Sequence, residues 1–172
     1  GTHVYDGTEK AIIVTLDGVV NGDDVKVLGT SLTDVGSAKI TITLSGSEKD
    51  NYVLDSETPA TANLTITAKD VTLTWTADLT YNGEAQKPTA TFENGMIVND
   101  DEVIVTLSDG NVNVGTYTVT ATLTGDKAKN YNLKNDSYVY EIKKKVLTAN
   151  IVGDGTHVYD GTEKAIIVTL DG

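Results

Sequence analysis

Apolar and polar residues alternate along almost the whole chain. Between Gly115 and Gly125, Tyr117, Val119, Ala121 and Leu123 share one phase, while Thr116, Thr118, Thr120, Thr122 and Thr124 share the other. Val71, Leu73, Trp75, Ala77 and Leu79 alternate with polar residues in the same way. So do three shorter sets: Ile40, Ile42 and Leu44; Ala62, Leu64 and Ile66; and Tyr138, Tyr140 and Ile142. A period of two puts successive side chains on opposite faces of a strand, so each run predicts a strand with one covered face and one wet face. Asp17-Gly18, Asn21-Gly22, Asn82-Gly83, Asn94-Gly95 and Asp109-Gly110 supply the positive φ that tight hairpins need. No window shows a helical period, and only Ser47–Asp50 and Asp126–Lys129 have the character of single turns. Parallel β-α-β architectures have no helices to use here. The pattern therefore predicts an all-β chain of small antiparallel β-sandwiches, Ig-like or β-grasp-like, arranged end to end.

The chain repeats itself. Residues 1–18, GTHVYDGTEKAIIVTLDG, recur unchanged at 155–172, an offset of 154. A weaker repeat has half that period. Tyr5-Asp6-Gly7, Tyr81-Asn82-Gly83 and Tyr159-Asp160-Gly161 correspond, and Asp34-Val35-Gly36 answers to Asn113-Val114-Gly115. LSGSEKDNYVL at 44–54 answers to LTGDKAKNYNL at 123–133, with Gly46 and Gly125, Asn51 and Asn130, and Tyr52 and Tyr131 in step. Self-similarity at a fixed period is the signature of an array. The expected modules are residues 1–67, lacking an opening strand, residues 68–143, complete, and residues 144–172, the opening strands of a third. The strand expected at Val71–Leu79 has no counterpart before Gly1, and Val146–Val152 is the matching strand by repeat position. The two ends are thus expected to be complementary, and copies to exchange strands head to tail. In that arrangement the duplicated 18 residues either compete for one place or mark the period of a continuous filament.

Charge and composition narrow the function. Asp and Glu number 25 against 13 basic residues, all lysine, giving a net charge of −12. Such a chain repels phosphate backbones and anionic membranes, and it lacks the arginine fork that reads bases. The chain has no cysteine, which removes disulfides, thiolate metal sites and cysteine catalysis together.

Candidate chemistry is sparse. Tyr5-Asp6-Gly7 and its copies are read as a ligand contact repeated along a fibre, or as a tyrosine at a strand end with an Asx-Gly turn. Asn51-Tyr52 and Asn130-Tyr131 are read as a glycan-binding pair, or as an asparagine holding loop backbone with a tyrosine closing the core. The acidic clusters Asp23-Asp24 and Asp100-Asp101-Glu102 raise the question of Ca²⁺, although their spacing matches no established loop, and no cofactor is expected. His3 and His157 are one site in two copies, so no histidine cluster forms and nothing resembles a nucleophile elbow. No catalytic or metal-binding residue is assigned, and enzymatic activity is not expected.

The order and spacing of these motifs carry a resemblance. KVLTANIVGDGTHVYDGTEKA, with GVVNGDDVKV, DVGSAKITITLSG and NYVL in the first module, resembles the YDG domain of bacterial surface proteins. The second module, with LTYNGEAQKPTATF, NVGTYTVTATLTG and NYNL, is similar to MBG-type repeats. The resemblance implies a secreted, repetitive cell-surface adhesin whose repeats form a stalk or fibre, with neighbouring repeats as partners. The alternative is that the repeats themselves bind host glycan or glycoprotein.

Overall fold

The computed structural model describes residues 1–98, 101–152 and 155–171. These form an all-β structure of several small sheets, with short 3-10 turns at Lys49–Asn51 and Ala128–Asn130. The longest strand, Gly115–Thr124, follows the expected alternation, with Val119 and Ala121 buried and its threonines exposed. Thr61–Thr67 buries Leu64 and Ile66, and Ser137–Lys143 buries Tyr140 and Ile142.

Two expectations need correction. The run from Val71 to Leu79 is not one strand but the pieces Lys69–Val71, Leu73–Thr76 and Leu79–Thr80. Each piece has its own neighbour: Tyr131–Leu133, Thr89–Phe92 and Ser137–Lys143 respectively. At the first change of partner the Asn135 side chain stands in for a strand, accepting from Leu73 N at 2.8 Å and donating to Leu73 O at 2.7 Å. Alternation reports the pleat, not the partner, so the sequence pattern runs through the break.

The sheets are also mixed rather than purely antiparallel. Thr2–Val4 lies parallel to Thr61–Thr67, Leu79–Thr80 parallel to Ser137–Lys143, and Tyr131–Leu133 parallel to Lys69–Val71. Parallel neighbours need a long crossover, and here the remaining strands of a repeat provide it in place of a helix.

The sequence repeat is a repeat of hydrogen bonds. Val4 pairs with Thr67 and Thr80 with Lys143, while Tyr5 N donates to Thr67 O and Tyr81 N to Lys143 O, both at 2.9 Å. Lys10 faces Leu32 as Gln86 faces Asn111. Val27 faces Leu44 as Val105 faces Leu123. The two 3-10 turns end alike, on Tyr52 at φ −126° and Tyr131 at φ −125°.

Compactness divides the chain differently from periodicity. One unit takes in Gly1–Trp75, Ala90–Ser108 and Thr120–Tyr138, and so holds strands of both repeats. Its core gathers Tyr5, Ile66, Val71 and Tyr131, flanked by Leu32, Val35 and Phe92. The other takes in Thr76–Thr89, Asp109–Val119 and Val139–Gly172. In it the Tyr140 hydroxyl accepts from Asn111 Nδ2 at 3.0 Å and donates to Gln86 O at 3.2 Å, against the Tyr117 ring. Thr148–Val152 pairs antiparallel with Ile167–Asp171.

Candidate functional site

The Tyr-Asp-Gly turns are built by local chemistry. Asp6 Oδ1 accepts from Thr8 N at 2.9 Å and from Thr8 Oγ1 at 2.7 Å, and Asp6 Oδ2 meets Lys10 Nζ at 2.7 Å. Asp160 makes the same set with Thr162 and Lys164. Asn82 keeps the central bond, accepting from Glu84 N at 2.9 Å. Gly7, Gly83 and Gly161 sit at φ 75°, 85° and 77°, where a side chain would be strained. Lys10 and the Thr8 donors hold the Asp6 carboxyl well below its usual range.

The tyrosines differ by position. Tyr5 is 3% exposed, Tyr81 40% and Tyr159 93%. Tyr5 packs edge-on against Tyr131 with ring centres 5.6 Å apart. Both hydroxyls donate to Asp101 Oδ2, at 2.7 Å from Tyr5 and 2.6 Å from Tyr131, and Tyr131 Oη accepts from Val98 N at 3.0 Å. Burial, then the Asp101 hydrogen bond, pushes both phenols above their ordinary value. The first repeat carries half of this arrangement. Tyr52 donates to Asp23 Oδ2 at 2.6 Å and accepts from Val20 N at 3.0 Å.

Asparagine completes the contact between the first and second repeats. Asn130 is fully buried, its Oδ1 accepting from Val35 N at 2.9 Å and its Nδ2 donating to Asp34 Oδ1 at 2.9 Å. Lys127 and Lys129 reach the same carboxylate at 2.8 and 3.2 Å. Asn51, its counterpart in the first repeat, is exposed. Asp34, Lys127 and Lys129 are not among the candidate site residues that the sequence offers. Their only signal there is the repeat itself, in which Asp34 becomes Asn113 while Lys127 and Lys129 answer to Glu48 and Asp50.

Lys127 and Asn130 bring the Asp34 carboxyl down to about 2 from an ordinary 3.8. A carboxyl with a depressed folded value contributes stability above its unfolded value and loses it as pH falls through the folded one. The Asp34 contribution should therefore be complete above about pH 4 and fade between pH 4 and 2. Acid-unfolding curves of the parent and of Asp34→Asn should converge over that window; curves that stay parallel would refute the assignment.

The acidic clusters have structural partners. Asp23 and Asp101 accept tyrosine hydroxyls, and Asp24 pairs with Lys26. Asp100 lies outside the described residues. Among the described residues no group of three or more His, Asp or Glu side chains is placed to hold a metal ion. A chelator should shift the melting temperature by less than about 2 °C, because a resident ion stabilises by mass action. A fall of about 10 °C in EDTA would establish a calcium site.

The chain matches no protein-family model, no curated protein and no solved structure.

Proposed function

We propose that this chain is a structural segment of a tandem-repeat stalk, of the YDG and MBG kind, that projects a binding domain from a bacterial cell surface. In this reading the small β modules are sandwich-like spacers set end to end. The observation that carries it is the contact between the first two repeats. Tyr5, Asp34, Asp101, Asn130 and Tyr131 include the most prominent repeated motif residues, and their side chains bond one repeat to the next. Motif residues used this way are occupied in holding an array together. Each repeat contacts its neighbours, and stability then accumulates along the chain.

The test is a series of single chains carrying two, four and six repeats. Small-angle scattering should give a maximum dimension that grows by a constant increment with each added pair. A dimension that levels off, as in a collapsed globule, overturns the stalk. Selective retention of a host glycan by the two-repeat chain would point instead to the repeats as the binding element.

A further inference from the structure

We infer that two copies of this chain join head to tail, the second compact unit of one copy docking on the first repeat of the next through the contact that already joins the first repeat to the second. The partner is thus a second copy of the same chain, and the register of the contact can be written down.

The duplicated segment supplies the template. Ile167–Asp171 and residues 13–17 have the same sequence, Ile-Val-Thr-Leu-Asp. The former pairs antiparallel with Thr148–Val152, Thr169 facing Asn150 and Val168 facing Ile151. The latter lies along a groove of about 390 Å³ lined by Val14, Leu16, Val25, Leu44, Tyr52 and Leu54. Val53, in that lining, is 91% exposed, and Ile13, which precedes Val14 in the chain, is 83% exposed.

The second repeat shows what such a groove takes. There Lys69–Val71 lies beside Tyr131–Leu133, and Leu73–Thr76 beside Thr89–Phe92. Those outer strands answer to residues 52–54 and 13–16 of the first repeat. A second copy's Thr148–Val152 would enter with Asn150 opposite Thr15 and Ile151 opposite Val14. It would leave one Ile-Val-Thr-Leu-Asp strand for an identical one, so the backbone pairing exchanged is equivalent. Burial of the groove and a second strand edge are gained in addition.

Two further features point to the same partner. Asp101 takes the hydroxyls of Tyr131 and of Tyr5 from the preceding repeat, whereas among the described residues Asp23 takes only that of Tyr52. Tyr81, the counterpart of Tyr5, is 40% exposed and belongs, like the donor strand Thr148–Val152, to the second unit. Charge agrees as well. Asp34 meets Lys127 and Lys129, while its counterpart Asn113 would meet Glu48 and Asp50. A neutral residue stands where an acid would be repelled. A first repeat following a first repeat would set Asp34 against Glu48 and Asp50, so the contact also enforces the alternating order of the two repeat types.

Donor groups lie in the second unit and receiving groups in the first, so the contact is heterologous, closing into a ring or running on as a fibre. This deepens the stalk reading but does not depend on it, since the longer single chains above test the stalk where repeats are covalently continuous.

The absence of cysteine makes the register directly testable. Directly opposed residues have Cβ atoms about 4.5–5.5 Å apart, near the reach of a disulfide. A mixture of Thr15→Cys and Asn150→Cys chains should form a heterodimer of twice 18.2 kDa on mild oxidation. It should form at least about tenfold faster than a mixture of Thr15→Cys with the exposed-strand control Thr122→Cys, given the proximity the paired register enforces. Light scattering of the unmodified chain should show mass rising with concentration between about 10 and 500 µM, the range of a weak interface. Ile151→Asp, at an exposed position, should raise the midpoint of that rise at least about tenfold, as expected for a charge placed against an apolar groove. A monomer throughout, or cross-linking no faster than the control, overturns the proposal.

Discussion

Replacing Tyr5 by alanine should destabilise the first compact unit by roughly 3–5 kcal/mol, the range for truncating a large buried ring. The same replacement at Tyr159 should cost less than about 0.5 kcal/mol, the usual size of a surface effect. The two tyrosines sit in identical stretches of 18 residues, so local propensity cancels in the comparison. What differs is surroundings: Tyr5 is 3% exposed against Tyr131 and Asp101, and Tyr159 is 93% exposed. Tyr5→Phe separates the ring from its hydroxyl. It should lose about 1.5–3 kcal/mol, the worth of a hydrogen bond to a charged acceptor. Urea unfolding read at the midpoint with unchanged slope measures all three. Equal losses at Tyr5 and Tyr159 would mean that the turn, not the contact between repeats, makes the motif matter.

The same duplicated stretch shows how far the sequence reaches. The Asp-Gly-Thr turn forms alike in both copies, with Asp6 and Asp160 holding Thr8 and Thr162, because every group in it is local. Strands do not follow suit. Thr2–Val4 is a strand because Thr61–Thr67 lies beside it, and Ile167–Asp171 is one because Thr148–Val152 does. Residues 13–16 and 156–158, though the same in sequence, are not strands. Alternation therefore gave the inward faces of Gly115–Thr124 and Ser137–Lys143 while leaving open which strands pair, and in which direction. The single turns at Lys49–Asn51 and Ala128–Asn130 were legible for the same local reason. Asp109-Gly110 was misread as a positive-φ turn. Gly110 is not among the positive-φ glycines; a Cβ there would fall 2.6 Å from Gln86 O, so it is the approach of another backbone that requires glycine. Asn130 and Asp34 were visible as motif positions, but their bond joins residues 96 apart and nothing local announces it.

Close approach also sets the other large effect expected. Gly125→Ala should destabilise the chain by roughly 2–5 kcal/mol, from two costs that add at one atom. Gly125 lies at φ 107°, where an L side chain crowds its own carbonyl for about 1–2 kcal/mol. Its added Cβ would also stand 2.5 Å from Glu102 O, and overpacking of that kind costs about 1–3 kcal/mol. The obstacle is backbone, held by the pairing of Ile104–Leu107 with Gly115–Thr124, so it cannot swing aside as a side chain would. Gly46 repeats the situation at φ 110°, with the Asp24 carbonyl in the way, and its alanine variant should suffer similarly. Gly83 is the control: it has a comparable φ of 85° but nothing within 4 Å of a Cβ. Gly83→Asn should therefore lose less than about 1 kcal/mol, since asparagine tolerates the left-handed region. If Gly125→Ala and Gly83→Asn unfold at the same urea concentration, the two backbones do not meet at Gly125, and the repeated glycine answers to its torsion alone.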